Sequence, residues 1–315
     1  MKNILYISRG LQKESELLNL FEEFEFFDIP PEGLPYAVSR KNDFIVPYDY
    51  GFGIIDKKQY VLRLSAACTA NCEYCYIKAE NKHAKPVFFY NISKIINELE
   101  KIKEKDNLIY VNAGENSDSL AFDRISKQSL ILYYLAERFP DIKFELRTKL
   151  VDFTPEFFKR KPLKNLIIAV SINPDSVIRE YENKSASLQK RIEVLKRLSS
   201  IGYNIAFRID PIIYSDRFYE EYGELVNVIQ ENFEKNDIFD IQIGCLRMNK
   251  MLYKNLKNQH SKLLAGELFQ GEDGKYHYYI GIRIMIYKYL ISRLSSFKCP
   301  VTLSNENGKC IKLSI

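Results

Sequence analysis

The stretch Cys68-Thr-Ala-Asn-Cys72-Glu-Tyr-Cys75-Tyr76 decides the reading of this chain. It directly follows the β-like run Tyr60-Val-Leu-Arg-Leu-Ser65, so it is expected to form a tight loop at a strand end. Such a loop folds three thiolates towards one point. Three thiolates suit an iron–sulfur cluster, whose irons usually take four cysteines. No fourth cysteine follows nearby; the next is Cys245. A cubane held by three cysteines keeps one iron without a protein ligand, and an open metal position argues for chemistry rather than scaffolding. The competing readings are a structural zinc site completed by a distant Cys or His, and three buried cysteines. Zinc knuckles usually pair two close cysteine doublets, which is not the pattern here.

Upstream, residues 1–59 begin with the strand-like Ile4-Leu-Tyr-Ile7. An acidic helical stretch follows, with Leu17, Leu18, Leu20, Phe21 and Phe24 spaced for one face, and then the turn-rich Ile29-Pro-Pro-Glu-Gly-Leu-Pro35. This part is expected to be an N-terminal extension packed on the main domain. From about residue 60 strand and helix patterns alternate, the mark of a βαβ array with a parallel sheet. Asn91 opens a helix in which Ile92, Ile95, Ile96, Leu99 and Ile102 recur with a period near 3.6. After the strand that precedes the cysteines, further strands are expected at 108–111, 143–148, 166–170, 204–209 and 239–243. A long helix with Leu188, Ile192, Leu195 and Leu198 stops at Gly202.

Six βα units predict an α/β fold, a partial (β/α)6 TIM-like barrel over 60–245. A substrate-facing C-terminal extension, 246–315, follows it. The working face is the C-terminal ends of the strands, where the βα loops converge. In the last part, Gln270-Gly-Glu-Asp-Gly274 reads as a loop between β-like aromatic runs, with a helix over 284–294.

Of 315 residues, 46% are hydrophobic and the charges are mixed, which marks a globular chain with a substantial core. Six cysteines at this length are no disulfide framework, and the tight triplet favours a reducing compartment. The N-terminus has too short an apolar core for a signal peptide, and no apolar run approaches the roughly 20 residues of a membrane helix. The expectation is a cytoplasmic protein without a membrane partner. The net charge of +5 is uneven: from Cys245 onwards 12 Lys and Arg face four Asp and Glu. The same part carries Tyr253, Tyr276, Tyr278, Tyr279, Tyr287 and Tyr289. Basic and aromatic residues together suit a polyanion or stacked bases; a solvated helix face over an aromatic core has the same composition.

Polar candidates fall at successive strand ends: Gly114 and Glu115, Lys149, Ser171 and Asn173, and Asp210. Such groups can meet the charged and polar parts of a small ligand beside the cysteines. Glycine lets the backbone come close, and a carboxylate accepts from an ammonium. Lys149 is placed to pair a carboxylate, and Ser171 and Asn173 to bond a ribose or carboxylate. Lys149 reads equally as a surface lysine opening a loop, and Ser171 and Asn173 as helix caps. His83, His260 and His277 show no ligand spacing.

CxxxCxxC followed by an aromatic resembles the signature of the radical S-adenosylmethionine (radical SAM) enzymes. The resemblance implies a 4Fe-4S cluster on Cys68, Cys72 and Cys75, with S-adenosyl-L-methionine chelated at the open iron. It also implies an external electron donor and a 5′-deoxyadenosyl radical that takes a hydrogen atom from substrate. Ala113-Gly114-Glu115-Asn116 resembles the turn with which many members hold the methionine amine. Within the family the chain looks closest to the spore photoproduct lyase-like branch. The resemblance runs through Tyr74-Cys75-Tyr76, Thr148-Lys149, Ser171-Ile172-Asn173, Gly202-Tyr203, Pro211-Ile212 and the aromatic stretch near Tyr279 to Tyr287. It implies that Tyr74 and Tyr76 match tyrosines near the radical site, Tyr74 also beside the cofactor. Lys149 and Ser171 match cofactor-contacting positions.

The lyase reverses a thymine dimer-like lesion in DNA, and a cysteine after its second strand returns a hydrogen atom to the product radical. Here that place reads Ala113-Gly114-Glu115-Asn116-Ser117-Asp118, with Glu115, or Gly114 in a shifted register, in the cysteine's position. A carboxylate cannot donate hydrogen atoms as a thiol can. Cys245, at the end of the sixth strand, is the candidate substitute, or else a buried small hydrophobe. On this departure the expected function leans to ribosomal-peptide maturation by splicease-like chemistry, on a peptide substrate with a small leader-binding partner protein. Lyase-like repair of damaged DNA with another hydrogen donor is the alternative. A non-catalytic metal-binding protein is the third reading.

Overall fold

The computed structural model describes residues 4–31, 34–48, 58–77, 87–234, 236–266, 268–306 and 308–314. His83 and the centre of the 29–35 turn segment lie outside these residues. Strands β1 (Leu5–Ser8), β2 (Phe24–Phe27) and β3 (Tyr36–Val38) lie parallel. β4 (Ile45–Pro47) pairs antiparallel with β5 (Lys58–Leu62). β6 (Ser65–Ala66) and β7 (Val87–Phe89) stand on either side of the cysteine loop in sequence. β7 joins β3, so a first sheet runs β2-β1-β3-β7-β6.

The main sheet grows from β5 through β8 (Ile109–Asn112), β9 (Lys143–Thr148), β10 (Leu166–Ser171), β11 (Asn204–Ile212) and β12 (Ile238–Cys245). All six are parallel and in chain order, which is the expected α/β partial (β/α)6 TIM-like barrel. A small antiparallel sheet follows, in the order β13 (Arg247–Met248), β15 (Tyr276–Tyr278), β14 (Leu268–Gln270). β16 (Val301–Leu303) then adds to β12 as a further parallel strand.

Local sequence explains the elements that set the site. Every residue of β10 is buried, as a strand covered on both faces requires. The helix Leu188–Ile201 begins where Ser187 Oγ accepts from Lys190 N and ends at Gly202, whose φ of 105° is open to glycine. The helix Ile92–Lys103 buries Ile92, Ile95, Ile96 and Leu99. Asn91 stands at its start without capping it; its Oδ1 accepts from Arg40 N at 2.7 Å and ties the helix to the N-terminal part.

Three features differ from the sequence reading. The acidic helix is a single turn, Ser15–Leu18, and Phe24 opens β2 instead. The alternating, aromatic Phe24-Glu-Phe-Phe27 fits a pleated strand and finds β1 as its partner. Strand pairing also crosses residue 59 in both directions: β4 joins the main sheet, and β6 and β7 join the first. The C-terminal part is built into the barrel, through β16 and through the helix Ile280–Leu294, which buries Ile286, Tyr287, Leu290 and Leu294. Among the described residues no helix is long and apolar enough to cross a membrane.

The barrel interior is small and charged. Ala169 and Ala206 leave room beside Ile167 and Tyr110. Into that room project Arg208, which pairs with Glu145 and Asp240, and Arg147, whose Nε donates to Glu145 Oε1 at 2.5 Å. Burial alone would raise the Glu145 carboxyl, but Arg147 and Arg208 outweigh it and hold it well below the usual range. These paired charges form the floor of the site above them.

Candidate active site

A cavity of about 420 Å³ opens at the C-terminal ends of the parallel strands. One end is the cysteine loop: Cys68, Cys72, Cys75, Tyr74 and Tyr76 all line it. The loop turns sharply, with Ala67 at φ 70° and Asn71 at φ 51°. Its backbone is held from outside. Ser117 Oγ donates to Ala67 O at 2.8 Å, Glu73 N to Tyr181 O at 2.7 Å, and Lys184 N to Ala70 O at 3.1 Å.

Burial and nearby carboxylates disfavour the thiolate at Cys68 and Cys72. Burial, then the Asp118 charge, pushes Cys68 up to about 12. Burial and then Glu182 push Cys72 higher still. A bound metal reverses this by supplying positive charge. Cys68, Cys72 and Cys75 line one cavity, and three thiols are a donor set that fits an iron–sulfur cluster.

The strand-end candidates divide. Gly114 lines the cavity, and a Cβ there would lie 2.5 Å from Arg147 Cβ and 2.8 Å from Arg147 O, so only glycine fits. Glu115 lines it too. Its carbonyl accepts from Tyr76 Oη at 2.9 Å. Burial raises its carboxyl despite the neighbouring Arg147 and Arg247. Lys149 lines the cavity with Nζ donating to Asp210 O at 3.3 Å and standing 5.8 Å from the Tyr74 ring centre. Ser171 also lines it.

Asn173 and Cys245 do not line the cavity among the described residues. Asn173 is fully buried, donating to Glu182 and accepting from Tyr222 Oη at 3.2 Å. It follows Ser171 by two places, but the chain has left the strand and Pro174 has begun the next helix. Cys245 is buried, its N–H donating to Tyr287 Oη at 2.9 Å. Burial pushes its thiol far up. Cys245 packs against Tyr287 of the C-terminal helix Ile280–Leu294.

Other lining residues gave no sequence signal. Asp118 stitches two strand ends, accepting from Thr148 Oγ1 at 2.7 Å, Lys149 N at 2.6 Å and Leu120 N at 2.9 Å. At the far end Arg247 clasps Asp210 through two bonds, 3.1 and 2.9 Å. Tyr48, Lys275 and Asn305 complete that wall. Burial, then the Glu115 charge, pushes the Tyr48 phenol up to about 12.

Comparison with known proteins follows the same lines. A family model described as spore photoproduct lyase matches residues 56–278. The spore photoproduct lyase of Clostridium acetobutylicum is 29% identical over 177 residues, covering 53% of this chain and 50% of that protein. That of Bacillus subtilis is 25% identical over 185 residues, covering 57% and 51%. The chain thus spans about half the length of the curated relatives it matches. A solved spore photoproduct lyase complexed with dinucleoside spore photoproduct superposes with a TM-score of 0.75 at 16% identity, covering 96% of this chain and 99% of that one. Streptococcus suis SuiB bound to S-adenosylmethionine gives a TM-score of 0.53 at 12% identity over 80% of this chain and 51% of that one. At these identities the structural likeness speaks for the fold. The family match spans well over half of the chain and includes the cysteine loop and every strand of the barrel core, so the chain belongs to the spore photoproduct lyase family of radical SAM enzymes.

Proposed function

We propose that this protein is a radical SAM lyase acting on a thymine dimer-like lesion in DNA. The observation that carries the reading is that the three cysteines share one cavity with Gly114, Lys149 and Ser171 in a chain of this family. Cys68, Cys72 and Cys75 would hold the 4Fe-4S cluster. Lys149 would pair with the carboxylate of S-adenosylmethionine, Ser171 would bond its polar groups, and the bare backbone at Gly114 would let it approach. When bound and reduced by an external donor, cluster and cofactor supply a radical that abstracts a hydrogen atom. Tyr74 and Tyr76 flank the place where it would form.

The family match supports DNA over the peptide-maturation reading to which the missing thiol points. The surface is suited to it. The helix Lys250–Asn258 carries Lys250, Lys254 and Lys257 exposed on one face and no acidic residue. Its N-cap, Asn249, lines the cavity, so a phosphate backbone bound along the helix would lead to the site. Cys68, Cys72 and Cys75 are the only thiols among the described lining residues, which supports a hydrogen donor other than Cys245.

The test is turnover of dinucleoside spore photoproduct by the anaerobically reconstituted protein with S-adenosylmethionine and a strong reductant. Release of thymidine from the lesion is expected. Cofactor cleavage with the lesion untouched, alone and within an oligonucleotide, would remove DNA as the substrate.

A further inference from the structure

Behind the cysteine loop lies a buried ion pair that the proposed chemistry does not use. Glu182 follows the helix Asp175–Tyr181, and Arg191 lies in the helix Leu188–Ile201. Both side chains are fully buried. The Glu182 carboxylate accepts from Tyr74 Oη and Arg191 Nη2, from Asn173 Nδ2 at 3.1 Å and from Ser185 Oγ at 3.2 Å. Arg191 also donates from Nη2 to Ser185 Oγ at 2.6 Å, from Nη1 to Ser171 O at 2.7 Å and from Nε to Ala186 O at 2.9 Å. One pair therefore joins the cysteine loop, the end of β10 and two helices. The neighbouring chain reinforces it, since Tyr181 O and Lys184 N bind the loop backbone at Glu73 and Ala70.

The pair is also oriented. Its carboxylate end meets Tyr74, two residues from Cys72, while its guanidinium end points to Ser171 and Ala186. Beside Tyr74 stands Lys149 too, its Nζ 5.8 Å from the ring centre. The loop thus carries one fixed anion and one cation against Tyr74. Fixed charge and hydrogen bonding beside a cluster set its reduction potential: an anion favours the oxidised, less negative state.

We infer that Glu182 is a positioning residue for the cluster loop and that its charge holds the reduction potential of a cluster on Cys68, Cys72 and Cys75 low, against Lys149, which raises it. This rests on the cluster reading above. A low potential is the useful direction, because the reduced cluster must give its electron to the cofactor.

The test is a redox titration of the reconstituted cluster, without S-adenosylmethionine, followed by its paramagnetic signal. Glu182→Gln keeps a hydrogen-bond acceptor for Tyr74 and removes the charge; the midpoint is expected to move to less negative potential. Lys149→Met is expected to move it the opposite way, and Tyr74→Phe much less than either. Glu182→Gln leaves Arg191 buried without its partner, so a Glu182→Gln/Arg191→Met double variant keeps the experiment decisive if the single one does not fold. The double variant is expected to shift in the Glu182→Gln direction. A wild-type cluster whose midpoint is unchanged in the folded Glu182 variants, or moves the same way when either charge is removed, overturns the inference alone. A wild-type chain that assembles no 4Fe-4S cluster overturns the cluster reading, and this inference with it.

Discussion

At its cysteine end the cavity is made by the loop after β6, the turn after β8 and the ends of β9 and β10. Its opposite end is assembled from Tyr48, Asp210, Arg247, Lys275 and Asn305, of which Tyr48 and Asn305 hydrogen-bond across 257 positions of sequence. The first end has thiols, a glycine cradle and a lysine, the groups an iron–sulfur cofactor and an amino-acid moiety require. The second has a clasped ion pair, phenol and amide groups and a hairpin lysine, all supplied or braced by the C-terminal part. The difference teaches that the cysteine end is fixed by strand ends and the loops after them, while the opposite end depends on what is packed on it.

Five changes sharpen or break this division, from the largest effect down. Cys72→Ala should abolish iron–sulfur absorbance after reconstitution, since two thiols remain; full iron content in that variant would remove the triplet from the site. Arg247→Leu should act on the other end only. It strands the Asp210 carboxylate and should cost roughly 3 kcal/mol in denaturant unfolding, with lesion binding weakened and iron content unchanged. Equal loss of iron would show that the two ends are not separable.

Acid should attack the cysteine end first. Burial alone would raise Glu182, but Arg191 and then Lys149 outweigh it and bring it from 4.5 down to about 2. A lowered carboxyl stabilises the fold above its unfolded value and loses that contribution as pH falls from about 4.5 towards 2, here roughly 2 kcal/mol. Unfolding curves of wild type and Glu182→Gln should therefore converge across that window; parallel curves would deny the carboxylate its role. Gly114→Ala should cost roughly 1–2 kcal/mol, because the methyl group meets the Arg147 backbone. It should also weaken S-adenosylmethionine binding measured by calorimetry. Cys245→Ala should be the mildest, about 1 kcal/mol of lost packing with turnover within twofold of wild type. Lost turnover with cofactor cleavage kept would return Cys245 to the role of hydrogen donor.

The same division governs how far the sequence could be read. The barrel strands carry their own signal, for example in β9 and in the apolar run Leu166 to Val170 of β10, and Gly202 marks a helix end by itself. The cysteine triplet, Gly114, Lys149 and Ser171 follow because each lies directly after a strand. β16 has three residues and no periodicity, and exists because β12 offers it an edge. β2 hides in a segment whose apolar residues also fit a helix, and β1 decides between them. Glu182, Asp118 and Arg247 look like ordinary surface charges in sequence. Their roles come from partners at distances no local pattern encodes: Tyr74 lies 108 positions from Glu182, and Asp210 lies 37 from Arg247. Asn173 and Cys245 stand outside the described cavity lining for the converse reason. A strand-end position is visible in sequence, but the direction of the side chain there is not.

The most direct measurement is 5′-deoxyadenosine formation by the anaerobically reconstituted protein given S-adenosylmethionine and a strong reductant. The account predicts 5′-deoxyadenosine from the wild type and none from Cys68→Ala, Cys72→Ala or Cys75→Ala. A protein that takes up zinc but no iron–sulfur cluster, or a full cluster that leaves S-adenosylmethionine intact with lesion DNA present, would contradict it.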